Sequence, residues 1–131
     1  MNNCPCGKKQ PYNVCCAPIH TNIARAVTAE DLMRSRYTAF VMANGNYLMQ
    51  SHHTTTRPIN DKLKIITWAK AVQWIRLEIL QVIRGSATDL DGEVHFIAYF
   101  FEDGQVQNID EHSKFVREND HWSYLGIVEA S

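Results

Sequence analysis

From residue 74 onward the chain carries four β-rich segments with almost nothing between them. WIRLEILQVI (74–83), EVHFIAYFFE (93–102), QVQNIDEHSKFVRE (105–118) and HWSYLGIVE (121–129) follow one another, with DLDG at 89–92 and EDG at 102–104 as turn signals. A parallel crossover needs about a dozen residues or more, and connections this short cannot supply them. Each segment must pair with its neighbour, which predicts an antiparallel meander. Within the first segment, alternation places Ile75, Leu77 and Ile79 on one face.

The preceding half has a different period. Thr28 followed by Asp31 imitates a capping box, and Leu32, Met33, Arg36, Tyr37, Phe40 and Val41 then recur at helical spacing until NGN at 44–46. A second short helix is expected over 47–52. A third is expected over 60–71, with Leu63, Ile66 and Ala69 facing inward. APIHTNIARAV (17–27) reads as an irregular connector. Helices first and strands afterwards predict an α+β domain, with the helices on one face of a curved sheet.

The chain has 131 residues, enough for one domain with its own core plus a small appendage. A formal net charge of −1 excludes a global field that would draw it onto nucleic acid or acidic lipid. The opening MNNCPCGKK has no apolar run, and no stretch approaches the length needed to span a bilayer. The expectation is a cytoplasmic protein with no leader and no membrane contact.

All four cysteines lie in CPCGKKQPYNVCC, at Cys4, Cys6, Cys15 and Cys16. Bridging Cys4 to Cys6, or Cys15 to Cys16, would strain a disulfide. Cross-pairing would close a very short loop in a reducing compartment, and a redox pair would read Cys-x-x-Cys beside a βαβ pattern. Two close pairs separated by a loop suit a tetrahedral ion, each pair forming one edge, and soft thiolates favour zinc. Four thiolates close the coordination sphere, so the ion is expected to be structural. His20 is a lesser candidate ligand. Lys8 and Lys9 would offset part of the cluster's negative charge.

This stretch resembles the SEC-C motif, the zinc segment that ends the bacterial preprotein translocase motor and there contacts a secretion chaperone and the ribosome. Cys4, Cys6, Cys15 and Cys16 match its ligands, Gly7 its glycine and Tyr12 its aromatic. Lys9 stands where the motif usually has glycine, and Gln10, Pro11, Asn13 and Val14 replace much of its basic run. The resemblance implies a protein partner for the zinc knuckle. It also raises ribosome or RNA contact through Lys8, Lys9 and Tyr12, although two lysines are few for phosphate binding.

The remainder resembles the YchJ-like family, which joins an N-terminal SEC-C segment to an NTF2-like domain and has no established activity. The likeness rests on LMRSRYTAF (32–40), YLMQSHH (47–53), Arg57-Pro58, Trp74, the stretch 92–98, EHSKF (111–115) and WSYLG (122–126). It implies a SEC-C-like segment over 1–20 and an NTF2-like cone over 28–131. The family's Glu-Arg-Ser-Arg-Phe appears as Glu111-His112-Ser113-Lys114-Phe115. NTF2-like cones can hold a pocket for a small-molecule ligand or for isomerase or dehydratase chemistry, and many form a homodimer through the open sheet face. Fold alone decides none of this.

The polar groups expected at such a pocket are Arg34, Arg36, Tyr37, His53, Glu78 and Glu111. His53 with Glu111 is the candidate acid–base pair. The competing expectation is that Glu111 meets Arg34 or Arg36 as a buried ion pair. On balance the residues point to a zinc-binding interaction protein on an NTF2-like scaffold, with pocket acid–base chemistry as the alternative.

Overall fold

A computed structural model describes residues 2–128. After a short 3-10 turn over 12–14 come α1 (Cys16–Thr21), α2 (Ala29–Val41), α3 (Gly45–Gln50) and α4 (Lys62–Ala71). Four strands follow, β1 (Gln73–Arg84), β2 (Asp91–Glu102), β3 (Gln105–Glu118) and β4 (His121–Ile127), hydrogen-bonded in the order β1-β2-β3-β4 and antiparallel throughout. This is the α+β meander that the turn spacing predicts. Among the described residues no helix is long and apolar enough to cross a membrane.

α2 begins as the capping pattern requires. The Thr28 hydroxyl accepts from the Asp31 amide at 3.1 Å, and Glu30 and Asp31 place negative charge at the positive end of the helix dipole. Strand β2 alternates strictly, sending Val94, Phe96, Ala98 and Phe100 inward beneath the helices. Val94, Phe96 and Ala98 pack with Leu32, Leu48, Phe115 and Trp122 into one core, Phe100 meets Trp68 and Trp74, and the Trp122 indole donates to the Val27 carbonyl at 3.0 Å. Gly92 is required where β2 begins: a Cβ there would lie 2.5 Å from the Gly85 Cα and 3.2 Å from the Ala29 side chain.

Three sequence expectations are corrected. Residues 16–21 form helix α1 rather than irregular connector. In β1, register shifts at Ile75 and Leu80 break the alternation, so Trp74, Leu77, Ile79 and Val82 oppose the inward residues of β2 while Ile75 is exposed. In α4 the inward stripe is Ile65, Trp68 and Ala69; Leu63 is 76% exposed. Trp68 sets that rotation, its ring meeting Trp74 at 5.3 Å and Phe100 at 5.4 Å between centroids. Ile66 packs toward Gly45 of α3 instead of the sheet.

The open face of the sheet is polar at one end. Arg84 and Lys114 both bind Asp91, and the rings of His95 and His112 stack at 5.7 Å. His95 bonds Asp110, whereas His112 Nε2 lies 2.7 Å from a Glu93 oxygen but out of line for a hydrogen bond. His112 therefore sits on the opposite sheet face from Glu111.

Candidate functional site

Helix α2 carries two sites on opposite sides. At 3.6 residues per turn, positions two apart are rotated by about 200°. Asp31, Arg34, Ser35 and Thr38 form one stripe, and Met33, Arg36, Tyr37 and Phe40 form the other. The first stripe meets the cysteine segment. The second walls a cavity against the sheet.

The four cysteines converge as their spacing predicts. Their sulfurs all lie within 4.8 Å of one another, no pair is bonded, and relative exposure runs from 0% at Cys6 to 9% at Cys15. Tetrahedral zinc–sulfur bonds of about 2.3 Å put sulfurs about 3.8 Å apart, so this donor set fits such an ion. The thiols already polarise one another. Hydrogen bonding from Cys16 pulls Cys6 down to about 5 despite its burial, while bonding to Cys6, then burial, pushes Cys16 far up. Burial raises Cys15 to about 11. Four packed thiols cannot all ionise without a cation among them.

The backbone builds this cluster locally. Gly7 turns with φ +97°, its amide donating to the Cys4 carbonyl at 3.2 Å, and a Cβ there would meet Arg34 Nη1 at 3.2 Å. Arg34 Nη1 donates to the Cys6 carbonyl at 2.5 Å, and its Nε to Glu30 at 2.8 Å. Arg34 therefore serves the knuckle rather than the pocket where the sequence placed it. Lys8 pairs with Asp31 at 3.0 Å, and Cys4 Sγ lies 3.6 Å from the Thr38 hydroxyl.

His20 is not among the clustered ligands. Its Nε2–H donates to the Ser35 carbonyl at 2.8 Å, leaving Nδ1 to accept from the Tyr12 hydroxyl at 2.9 Å. Its ring packs between Tyr12 and Tyr47. With Lys8 and Tyr12 so engaged, Lys9 alone of the three residues considered for RNA contact is left without a described partner.

On the other side of α2, a cavity of about 240 Å³ opens between α2, α4 and the sheet. Its walls are aromatic, chiefly Phe40, Trp68, Trp74 and Phe96, with Arg36, Tyr37, His52, Glu111 and Tyr124 as its polar groups. Glu111 Oε1 accepts from the Tyr124 hydroxyl at 2.5 Å and from Ser113 at 3.0 Å, while Oε2 makes no hydrogen bond among the described residues. Burial, then Glu111, raises Tyr124, which keeps its proton. Burial likewise pushes Tyr37 up to about 12, and its hydroxyl has no partner among the described residues.

Arg36 is 7% exposed; Nη1 donates to the Leu48 carbonyl at 3.0 Å and to Ser51 Oγ at 2.7 Å, and the guanidinium lies 4.6 Å from the Tyr124 ring centre. Burial lowers it to about 10, so it stays charged at neutral pH. The expected Arg36–Glu111 ion pair does not form.

The expected His53–Glu111 pair does not form either. Directly after the helical C-cap Ser51, His52 forms a bridge to Tyr124 of β4: Tyr124 N donates to Ser51 O, and His53 N to Tyr124 O, both at 2.8 Å. Consecutive side chains on an extended segment point to opposite sides. His52 therefore enters the cavity, its ring edge-on to Tyr124 at 4.9 Å, while His53 turns to Thr55 and Glu118. The sequence reading missed His52 because it placed this residue in a helix; pairing with a distant strand is not visible in local spacing.

Burial, followed by Arg36, Arg57 and His53, pushes His52 down to about 4. Below pH 6.5 the unfolded chain takes up a proton there that the folded chain refuses until about pH 4. This contribution is complete above pH 6.5 and declines as the pH falls toward 4. Solvent screening at this half-buried ring keeps it below the roughly 3 kcal/mol that the full shift would give. Urea midpoints at about pH 7 and about pH 4.5 should show a smaller acid loss for His52→Phe than for wild type. Equal losses would exclude His52 as the source.

A thiol knuckle docked on the helical layer of a cone-like sheet defines an NTF2-like domain carrying a SEC-C segment. The family model described as "YchJ, middle NTF2-like domain" matches residues 28–126. The chain belongs to this YchJ-like family. It is 37% identical over 123 residues to a UPF0225 protein of Vibrio cholerae, covering 94% of this chain and 80% of that one. With a Streptomyces coelicolor UPF0225 protein it shares 39% over 121 residues, covering 92% and 90% respectively. The solution structure of a SEC-C motif containing protein from Rhodopseudomonas palustris superposes with a TM-score of 0.83 at 28% identity, over 99% of this chain and 100% of that one. A crystal structure of a SEC-C motif containing protein from Psychrobacter arcticus gives 0.81 at 27%, over 100% and 85%.

Proposed function

We propose that this protein is a small-molecule-binding NTF2-like cone whose N-terminal knuckle is stapled by one structural zinc ion. The observation that carries the ligand reading is the aromatic cavity beside α2, which leaves a carboxylate oxygen of Glu111 without a partner among the described residues. A concave apolar space with a few convergent polar groups is the usual form of a ligand site. Cys4, Cys6, Cys15 and Cys16 would hold the zinc. A closed four-thiolate sphere leaves no position for substrate, so the ion holds the knuckle's shape and does no chemistry.

A specific arrangement supports acid–base turnover as a second reading. Glu111 is oriented by Tyr124 and Ser113 in a largely apolar enclosure, as a general base would be. A protein partner for the knuckle, which the SEC-C likeness suggests, would have to use its outer rim, where Lys9, Asn13 and Val14 are exposed.

Protein purified without added metal should contain one zinc per chain by elemental analysis. Naphthalene should quench the Trp68 and Trp74 fluorescence saturably. Metal-free protein with freely reactive thiols would sink the staple, and unsaturable quenching would sink the cone.

A further inference from the structure

The cavity holds two opposite charges that do not touch each other. Arg36 is more than nine-tenths buried, yet only its Nη1 is used, on Leu48 and Ser51; its Nε and Nη2 N–H groups have no partner among the described residues. Across the same space, Glu111 has one oxygen committed to Tyr124 and Ser113 and the other free. These atoms are not sealed away but are reached from the cavity, so the donors and the acceptor are available to a group that enters it.

The bridging group is constrained by charge. Arg36 and Glu111 sum to zero and the depressed His52 is neutral at physiological pH. A ligand with net charge would leave an uncompensated charge in an apolar enclosure. The group must instead offer an acceptor to Arg36 and a donor to Glu111 while remaining neutral. The walls limit the rest of the molecule: Phe40, Trp68 and Trp74 favour a flat ring, and about 240 Å³ admits one or two rings.

We propose that the cavity binds an uncharged aromatic amide, a carboxamide or ring lactam, whose carbonyl accepts from Arg36 and whose N–H donates to Glu111. This assignment rests on the ligand-binding reading of the cone and names the chemistry its ligand must have.

The test is a matched series on the full chain: benzamide, benzoate, benzylamine and toluene, followed by shifts of the Trp68 and Trp74 indole resonances. Benzamide should bind about tenfold tighter than each of the others, since a pair of hydrogen bonds to charged groups separates it from the hydrocarbon. In Glu111→Gln, where the amide oxygen can still receive Tyr124 and Ser113 but the NH₂ confronts the ligand's N–H, benzamide should fall to the level of toluene. The wild-type series decides the matter even if that variant folds poorly. Benzoate or benzylamine binding as tightly as benzamide, or toluene matching it, would overturn the amide assignment and leave the ligand-binding cone standing. If none of the four shifts either tryptophan, both fall.

Discussion

Stripping the metal from the cysteine knuckle is expected to lower the unfolding midpoint of the whole chain by roughly 10 °C. Segment 1–20 reads in the sequence as an appendage whose loss would leave the domain folded. The contacts argue otherwise. Arg34 donates to the Cys6 carbonyl, Thr38 approaches Cys4, Lys8 pairs with Asp31, and His20 bonds the α2 backbone while its ring lies against Tyr47. Cys6 and Cys16 are almost fully enclosed. Structural zinc in isolated fingers contributes about 10–16 kcal/mol of folding energy, which is a ceiling here because the domain has its own core. The part transmitted through these contacts is about 3 kcal/mol, counting one charged hydrogen bond and the uncovered α2 face.

Calorimetry before and after chelation measures that part directly. Arg34→Met separates metal binding from docking: zinc content should be unchanged while stability falls by about 2 kcal/mol. A chelated protein that keeps its melting point, with only residues 1–20 becoming sensitive to protease, would restore the picture of two independent modules.

How far the residues disclosed their own arrangement depended on the range of the interactions involved. Cap, turn and ligand spacing are local: Thr28, the turn at 102–104 and the cysteine pairs stand where they were read. The turn read at 89–92 lies a few residues earlier, over 85–90, with Asp91 and Gly92 already in β2. The errors lie where distant chain sets the outcome. Ile75 leaves the inward face because of a register shift against β2. Leu63 turns outward because Trp68 must meet Trp74 and Phe100. His52 replaces His53 in the cavity because a bridge to Tyr124 of β4 sets the backbone there.

Arg34 and Arg36 show the same limit at closer range. Both are polar residues on one helix, and helical spacing alone shows that they point apart without showing which neighbour each will find. Each side of α2 is occupied, one by the knuckle and one by the cavity wall.

Replacing Arg36 by Met should lower stability by about 3–5 kcal/mol, the range for removing one member of a buried charged set. Two losses combine. The Leu48 carbonyl and Ser51 lose a charged donor, and Glu111 is left as the only charge facing the cavity among the described residues. Glu111→Gln alone should cost about 1 kcal/mol, less than the few kcal/mol expected for a direct ion pair, because Tyr124 and Ser113 can still donate to an amide oxygen. The double variant Arg36→Met, Glu111→Gln should then be more stable than Arg36→Met by about 1–2 kcal/mol, since neutralising Glu111 removes the uncompensated charge. Urea denaturation of the four proteins gives this cycle. Strict additivity would mean that the two charges do not sense each other across the cavity. An Arg36→Met protein as stable as wild type would show that the helix–sheet seam tolerates an apolar side chain there. The buried guanidinium would then be retained for what enters the cavity, not for the fold.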